Sequence, residues 1–331
     1  MNEGIFESRP RRKPVVEVVE VSRVVGWYPG ATHCSFLLIG GGGGGGNGRY
    51  DTTTTNTIAG GSGGGGAGLN YRRRMPYQVF TLLTTDNNFF VSIGAGGTGG
   101  ASHSVDQQAG NNGVAGGVTS IRIQSIYRYG TQNGGQTGYV QAGGGGKGNG
   151  GNLSNVNSDA GTAYAGHIKG LTGGQGQNAA GGGAPSASTA ELGSNPCHWL
   201  SVAAGFGSGS RTWVARTGGA LMGSLHINGV SQPNGAAGDP GIDSRDRAEP
   251  LWNLALEQFQ EAPTLEELWW FATAGGGTNG LSGGTSTRGG RGGDGWRGTG
   301  GGGGGSSNIT GNGQGGNGGN GIVVFWWETL E

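Results

Sequence analysis

Glycine is gathered into nine dense stretches along this chain, over residues 40–48, 60–68, 94–100, 110–117, 143–151, 173–183, 275–284, 289–305 and 311–321. That clustering restricts the fold more than any motif does. A collagen triple helix needs glycine at every third residue with abundant proline, and the chain has neither. Flexible linkers are the usual meaning of glycine-rich sequence, but nine linkers of similar length make no sense in one chain. Disorder is the next alternative, since 83 of the 331 residues are Gly and 10 are Pro. Disordered chains, however, carry few aromatics and a high net charge. This chain has 9 Trp, 9 Phe and 8 Tyr and a formal net charge of zero. The composition predicts an ordered protein with a core.

The remaining option for the tracts is the extended threefold helix of polyproline and collagen chains, which has no internal hydrogen bonds. Every N–H and C=O must then find a partner outside its own tract. Ordering seven glycines costs roughly 7–14 kcal/mol of backbone entropy, so such tracts are stable only in a bundle. At about 3.1 Å per residue a nine-residue tract spans roughly 28 Å, and tracts of similar length can stack side by side. Gln314, Asn317 and Asn320 recur every third residue in the last tract, which predicts one polar edge and two glycine edges facing neighbours.

Short apolar segments separate the tracts and read as strands, over residues 15–25, 35–39, 79–83, 89–93, 118–126, 139–141, 224–227 and 322–327. In residues 119–126, Ile121 and Ile123 share one face with Arg122 and Gln124 on the other, as a half-buried strand requires. From 185 to 274 glycine thins out and Trp199, Trp213, Trp252, Trp269 and Trp270 concentrate. Residues 250–261 read as a helix with Pro250 at its start. Thr264 with Glu267 three residues on is a capping box that opens a second short helix. The expected organisation is an N-terminal arm and first strand (1–32), a first glycine-rich part (33–184), a less glycine-rich insertion with one or two helices (185–274), and closing tracts with a final strand (275–331).

Four segments carry a resemblance. Residues 36–39 run from an apolar strand into Gly40–Gly46, residues 91–100 repeat that transition, residues 142–146 form an internal tract, and residues 315–325 close on Ile322-Val-Val-Phe325. Together they resemble the glycine-rich domain of phage tail-fibre and related virion proteins. The similarity covers residues 33–184 and 275–328; the glycine-rich region of certain animal receptor kinases is also similar. The phage resemblance implies a mainly β fold, with a β-sandwich-like scaffold, a bundle of polyglycine helices and a small helical insertion. It also implies a place on a viral particle, often as an oligomeric fibre or adhesin part.

No chemistry-bearing motif survives inspection. A GxGxxG window arises by chance roughly once per 64 positions at this composition, so a dinucleotide site has no support. A phosphate loop at Lys147 fails, because Gln141 stands at its first glycine position and Gly148 where Ser or Thr is needed. Gly60–Gly64 and Gly280–Gly284 spell nucleophile elbows without strand-to-helix context. His33, His103, His167, His198 and His226 lack metal-ligand spacing. Asp239, Asp243, Asp246 and Glu249 are interleaved with Arg245 and Arg247, as in a solvated, mutually paired loop. Cys34 and Cys197, 163 residues apart, read as two reduced thiols. The chain is expected to be no enzyme, with no catalytic residue, cofactor or metal.

Zero net charge argues against nucleic acid, and no apolar run reaches the roughly 18–20 residues of a membrane helix. The N-terminal sequence lacks the apolar region of a secretory signal, so synthesis in the host cytoplasm is expected, and the resemblance implies residence in the virion. Candidate receptor or partner contacts are Thr52, Thr53, Thr54 and Asn56 in a loop between two tracts, with Tyr71, Arg72 and Arg73. Trp269, Trp270, Trp326 and Trp327 carry apolar area for either a neighbouring subunit or the chain's own core. Arg9, Arg11, Arg12 and Lys13 form a basic arm that would dock on another virion protein. The expected function is a structural virion protein in a tail fibre, baseplate or adhesin. It would form a homo-oligomer, with a trimer favoured, and contribute to attachment at a bacterial surface receptor. A collar or capsid decoration is the alternative. Ice-binding and extracellular matrix proteins are further rivals, disfavoured by the Asn and Gln at three-residue positions and by the aromatics.

Overall fold

The computed structural model describes residues 14–52, 61, 63–78, 88–123, 139–151, 213–216, 228–232, 243, 245–264, 267, 271, 289–305 and 311–329. Its strands are β1 (Val15–Val19), β2 (Arg23–Gly26), β3 (His33–Ile39), β4 (Leu69–Pro76), β5 (Asn88–Ser92), β6 (Thr119–Ile123), β7 (Tyr139–Ala142), β8 (Trp213–Arg216), β9 (Asn228–Gln232) and β10 (Ile322–Glu328), with one helix, α1 (Arg245–Gln258). The fold is mainly β. One antiparallel sheet has the order β1-β10-β3-β4 and a second the order β2-β5-β6-β7; β8 and β9 pair separately.

The apolar runs of β3 and β10 explain the layering, because a continuous apolar strand must be covered on both faces. Leu37, Ile39, Ile322, Val324 and Trp326 share a core with Trp252, Ala255 and Phe259 of the α1 region. Phe36, Leu38, Val323, Phe325 and Trp327 share the other with Val25, Phe89, Val91 and Ile121 of the second sheet. Phe325 anchors that second core, with ring centroids 5.3 Å from Phe89 and 5.9 Å from Phe36.

The segment expected as one strand over residues 15–25 is two strands in different sheets: β1 pairs with β10 and β2 with β5. β4 escapes a hydrophobicity reading because Arg72, Arg73 and Arg74 interrupt it; Leu69 and Tyr71 enter the first core and Met75 packs against the second. The β3–β4 register shifts between Cys34 and Phe36, and Arg74 takes a positive φ of 49° there. The helix begins five residues before Pro250, the expected start, and an Arg245–Glu249 ion pair (2.9 Å) spans its first turn. The capping box forms, with the Glu267 carboxylate accepting the Thr264 N–H at 2.7 Å. The expected strands over 79–83 and 224–227 and the tracts over 173–183 and 275–284 lie outside the described residues.

The glycine tracts bond one another backbone to backbone around tract 40–48. Gly40, Gly41 and Gly42 donate to Gly68, Gly117 and Gly319, at 3.2, 2.9 and 2.8 Å. Gly43, Gly44 and Gly45 then repeat the series on Gly65, Val114 and Gly316. The partners therefore recur every three residues, and those three neighbouring tracts run antiparallel. The carbonyls of Gly41 and Gly44 accept from Gly145 and Gly148, those of Gly42 and Gly45 from Gly97 and Gly100, and those of Gly43 and Gly46 from Gly301 and Gly304. These three further neighbours run parallel. Adjacent members of the surrounding set bond in turn, as in Gly65 to Gly146, Gly113 to Gly148, Gly117 to Ala95, Gly318 to Gly97, Gly316 to Gly302 and Gly64 to Gly301. Among the described residues, tract 40–48 is thus enclosed by a closed ring of six tracts.

Such closeness leaves no room for side chains in the interior. A Cβ on Gly42 would lie 1.9 Å from the Thr299 carbonyl oxygen. Where a tract faces outward the constraint lifts: Gly94, Gly97 and Gly100 are buried while Ala95 and Thr98 are exposed. The stretch 289–305 is two tracts, reversed by a turn in which Arg297 and Gly298 have φ of 43° and 79°. The Arg297 guanidinium lies 4.2 Å over Trp296 and 5.0 Å over Trp252 and donates to Glu20 at 2.6 Å. That side chain ties the turn to α1 and to the β1–β2 connection.

Candidate functional site: the loops at the far end of the tracts

Chain direction gives the molecule two distinct ends. Tract 40–48 leaves from Ile39, the end of β3 that pairs with Ile322, so the sheets lie at one end of the tracts. At the other end lie the segments 49–52, 101–109 and the start of tract 311–321. The first and last described residues, 14 and 329, flank the Val15–Trp327 pair at the far side of the first sheet. Both therefore lie on the sheet side, away from the loops.

Polar side chains with almost no exposure lock the loop end. Arg49 and Asp51 are 3% and 1% exposed and form an ion pair at 2.9 Å, and Arg49 also donates to the Gln107 carbonyl at 2.7 Å. Burial of two charges is tolerated only where they are paired and hydrogen-bonded. Tyr50 and Gln108 form a β-bridge between the two segments. Thr52 donates its N–H (2.6 Å) and its hydroxyl to the Asp106 carboxylate. Those Thr52 bonds, with one from the Gln107 N–H, hold the Asp106 carboxyl below the usual carboxylate range. Gln107 itself takes a positive φ of 61°.

Asparagines extend the network to the third segment. The buried Asn47 side chain accepts the Asn111 N–H and donates to the Ala101 carbonyl. Asn312, also buried, donates to the Gly48 carbonyl at 2.5 Å and accepts the His103 N–H at 2.8 Å. The His103 ring, half-buried, places Nε2 3.0 Å from the Ala109 carbonyl. What these bonds hold in place is an exposed rim of Ser104, Val105, Asp106, Gln107, Gln108 and Ala109.

Of the residues expected to contact a partner, Thr52 lies at this end. Thr53, Thr54 and Asn56 lie outside the described residues, as do Trp269, Trp270, Arg9, Arg11, Arg12 and Lys13. Arg72 and Arg73 are exposed on β4, on the sheet side. Tyr71 is buried and its hydroxyl donates to the Pro263 carbonyl at 2.6 Å. Trp326 and Trp327 are buried in the chain's own two cores, the second of the two readings left open for them. Arg49, Asp51, Asp106 and Asn312 were missed. Their only sequence signal is a charged pair, Arg49 and Asp51, set where a glycine tract ends.

No group of three metal-ligating side chains occurs among the described residues. Cys34 is a buried free thiol, and burial, reinforced by the nearby Glu328 and Glu17 carboxylates, pushes its pKa well up. Lys147 is exposed on tract 143–151. No described helix is long and apolar enough to cross a membrane.

Two antiparallel sheets and a set of mutually bonded glycine tracts define the class of protein: mainly β and glycine-rich. The sequence model named glycine-rich domain matches residues 22–253, and the chain belongs to that family. Tracts 289–297, 298–305 and 311–321 and strand β10 lie beyond the matched region, although two of those tracts complete the ring. None of the curated proteins matches the chain.

Proposed function

We propose that the tracts are polyglycine threefold helices packed beside a β-sandwich, and that the whole forms a non-enzymatic structural protein of a phage particle. In this reading the sheet end docks on other virion proteins, through the basic arm of Arg9, Arg11, Arg12 and Lys13. The loop end faces outward and contributes to host attachment at a bacterial surface receptor, in a homo-oligomeric, trimeric fibre, baseplate or adhesin.

One observation carries the reading: a buried polar network fixes loops that lie at the opposite end of the tracts from residues 14 and 329. Loops on a rigid scaffold are where recognition residues are most readily varied. Burying Arg49, Asp51, Asn47 and Asn312 does nothing for either apolar core, so their gain is in loop geometry. Electron microscopy of source particles, labelled with a nanobody against residues 101–109, tests the proposal. Label at a fibre tip supports host attachment. Label at a collar or capsid supports the decoration alternative, and particles without label overturn the viral reading.

A further inference from the structure

Any bundle of extended tracts must deal with the amide rows on its outer surface, because a threefold tract has three of them and no internal acceptors. Tract 289–297 shows one solution. It sits outside the ring in the groove between tracts 298–305 and 311–321, giving the Gly292 and Gly295 N–H groups to Gln314 and Asn317. It accepts those of Gly302 and Gly305 on Gly293 and Gly290. A groove between two tracts in this protein is therefore a place where a third tract fits.

The groove between tracts 94–100 and 311–321 is filled differently. Its outward amides, Gly96 and Gly99, donate to the Asn320 and Asn317 side-chain oxygens at 2.9 and 3.0 Å. His103 continues the row onto Asn312. Gly96 and Gly99, like their acceptors Asn320 and Asn317, are three residues apart and run antiparallel, which is how two tracts bond through their backbones. The Asn112 side chain does the same for the Gly150 N–H, at 2.9 Å. We infer that Asn317 and Asn320 close this edge of the bundle by occupying the acceptor positions of a missing tract. The groove is thereby kept from taking a glycine tract of a second copy of the chain. A second copy is the partner that fits, since a backbone free of side chains offers carbonyls at three-residue intervals.

The test compares N317G/N320G with N317D/N320D in the full chain, by sedimentation velocity over a concentration series and by amide exchange. The glycine variant is expected to exchange the Gly96 and Gly99 amides about tenfold faster, as for loss of one hydrogen bond. Its mass should rise with concentration above that of the wild type. The aspartate variant keeps an acceptor and should retain the wild-type mass. A folded glycine variant with wild-type mass at every concentration overturns the inference. Should the double variant not fold, N320A serves, and unchanged Gly96 exchange in N320A overturns the inference equally.

Discussion

Trp326 and Trp327, neighbours in sequence, fill different cores and are anchored to different elements, the chain just past α1 and strand β1. The Trp326 Nε1–H donates to the Phe259 carbonyl at 2.9 Å, just past the end of α1. The Trp327 Nε1–H donates to Glu17 of β1 at 3.0 Å, and its ring lies parallel to Phe325 at 5.3 Å. Strand alternation alone does this: β10 is the sole strand with two adjacent indoles among the described residues, and it is covered on both faces.

Each tryptophan should accordingly be required for one core. Trp326→Ala and Trp327→Ala are each expected to cost about 3–5 kcal/mol, read by chemical denaturation. Trp326→Ala should in addition speed amide exchange across α1, because it empties the space against Phe259 and Phe271, whereas Trp327→Ala should leave α1 protected. Equal loss of protection in both variants would show that the two cores unfold as one.

The tracts predict a sharp dependence on row. A Cβ at Gly44 would stand 2.1 Å from the Thr98 carbonyl oxygen, a backbone atom that cannot swing aside. Gly44→Ala should therefore destabilise by about 1–3 kcal/mol or more. Thr98→Ala, on an exposed row, should stay within about 0.5 kcal/mol of the wild type. Thermal unfolding of the pair checks this, and similar melting points would show that the tracts separate easily.

These row effects mark how far the sequence could be read. Clustered glycine and the Gln314, Asn317, Asn320 spacing pointed to bonded tracts with a three-residue repeat, and Gln314 and Asn320 are indeed exposed. The same spacing did not reveal that Asn317 and Asn320 turn back onto the amides of Gly99 and Gly96, because their partners lie 218 and 224 residues away in sequence. Which tract lies at the centre was equally hidden, since it depends on chain order through both sheets. The sheet switch between β1 and β2 was missed because both segments belong to one Val-rich run, with only Glu20, Val21 and Ser22 between them, and nothing local says that they pair with different strands.

The buried Arg49–Asp51 pair predicts a local rather than a global effect. Removing one partner of a buried pair leaves an uncompensated charge and costs about 3–5 kcal/mol. Arg49→Met should therefore release the loop end, with faster amide exchange at Gln107 and Gln108 and proteolysis within 101–109. Amides of β3 and β10 should stay protected, because neither residue touches the cores. Arg49→Met with Asp51→Leu should recover most of the loss, since the orphaned carboxylate is gone.

The Asp106 clasp should respond to acid in a defined direction. Its carboxyl is held below the usual range chiefly by the Thr52 hydroxyl and N–H, while the neighbouring Asp51 carboxylate opposes the shift. A depressed folded pKa adds stability that is fully present above the unfolded value, about 3.9, and is lost as pH falls through the lower folded value. From neutrality down to about pH 4 the Thr52 amide should therefore keep constant protection relative to its intrinsic exchange rate. Below that the protection should fall as the carboxyl takes up a proton and no longer accepts both Thr52 bonds. Asp106→Asn should show weakened protection already at neutral pH, with no further loss in acid from this site. Protection that fades between pH 7 and 5 in the wild type would place the titrating group elsewhere.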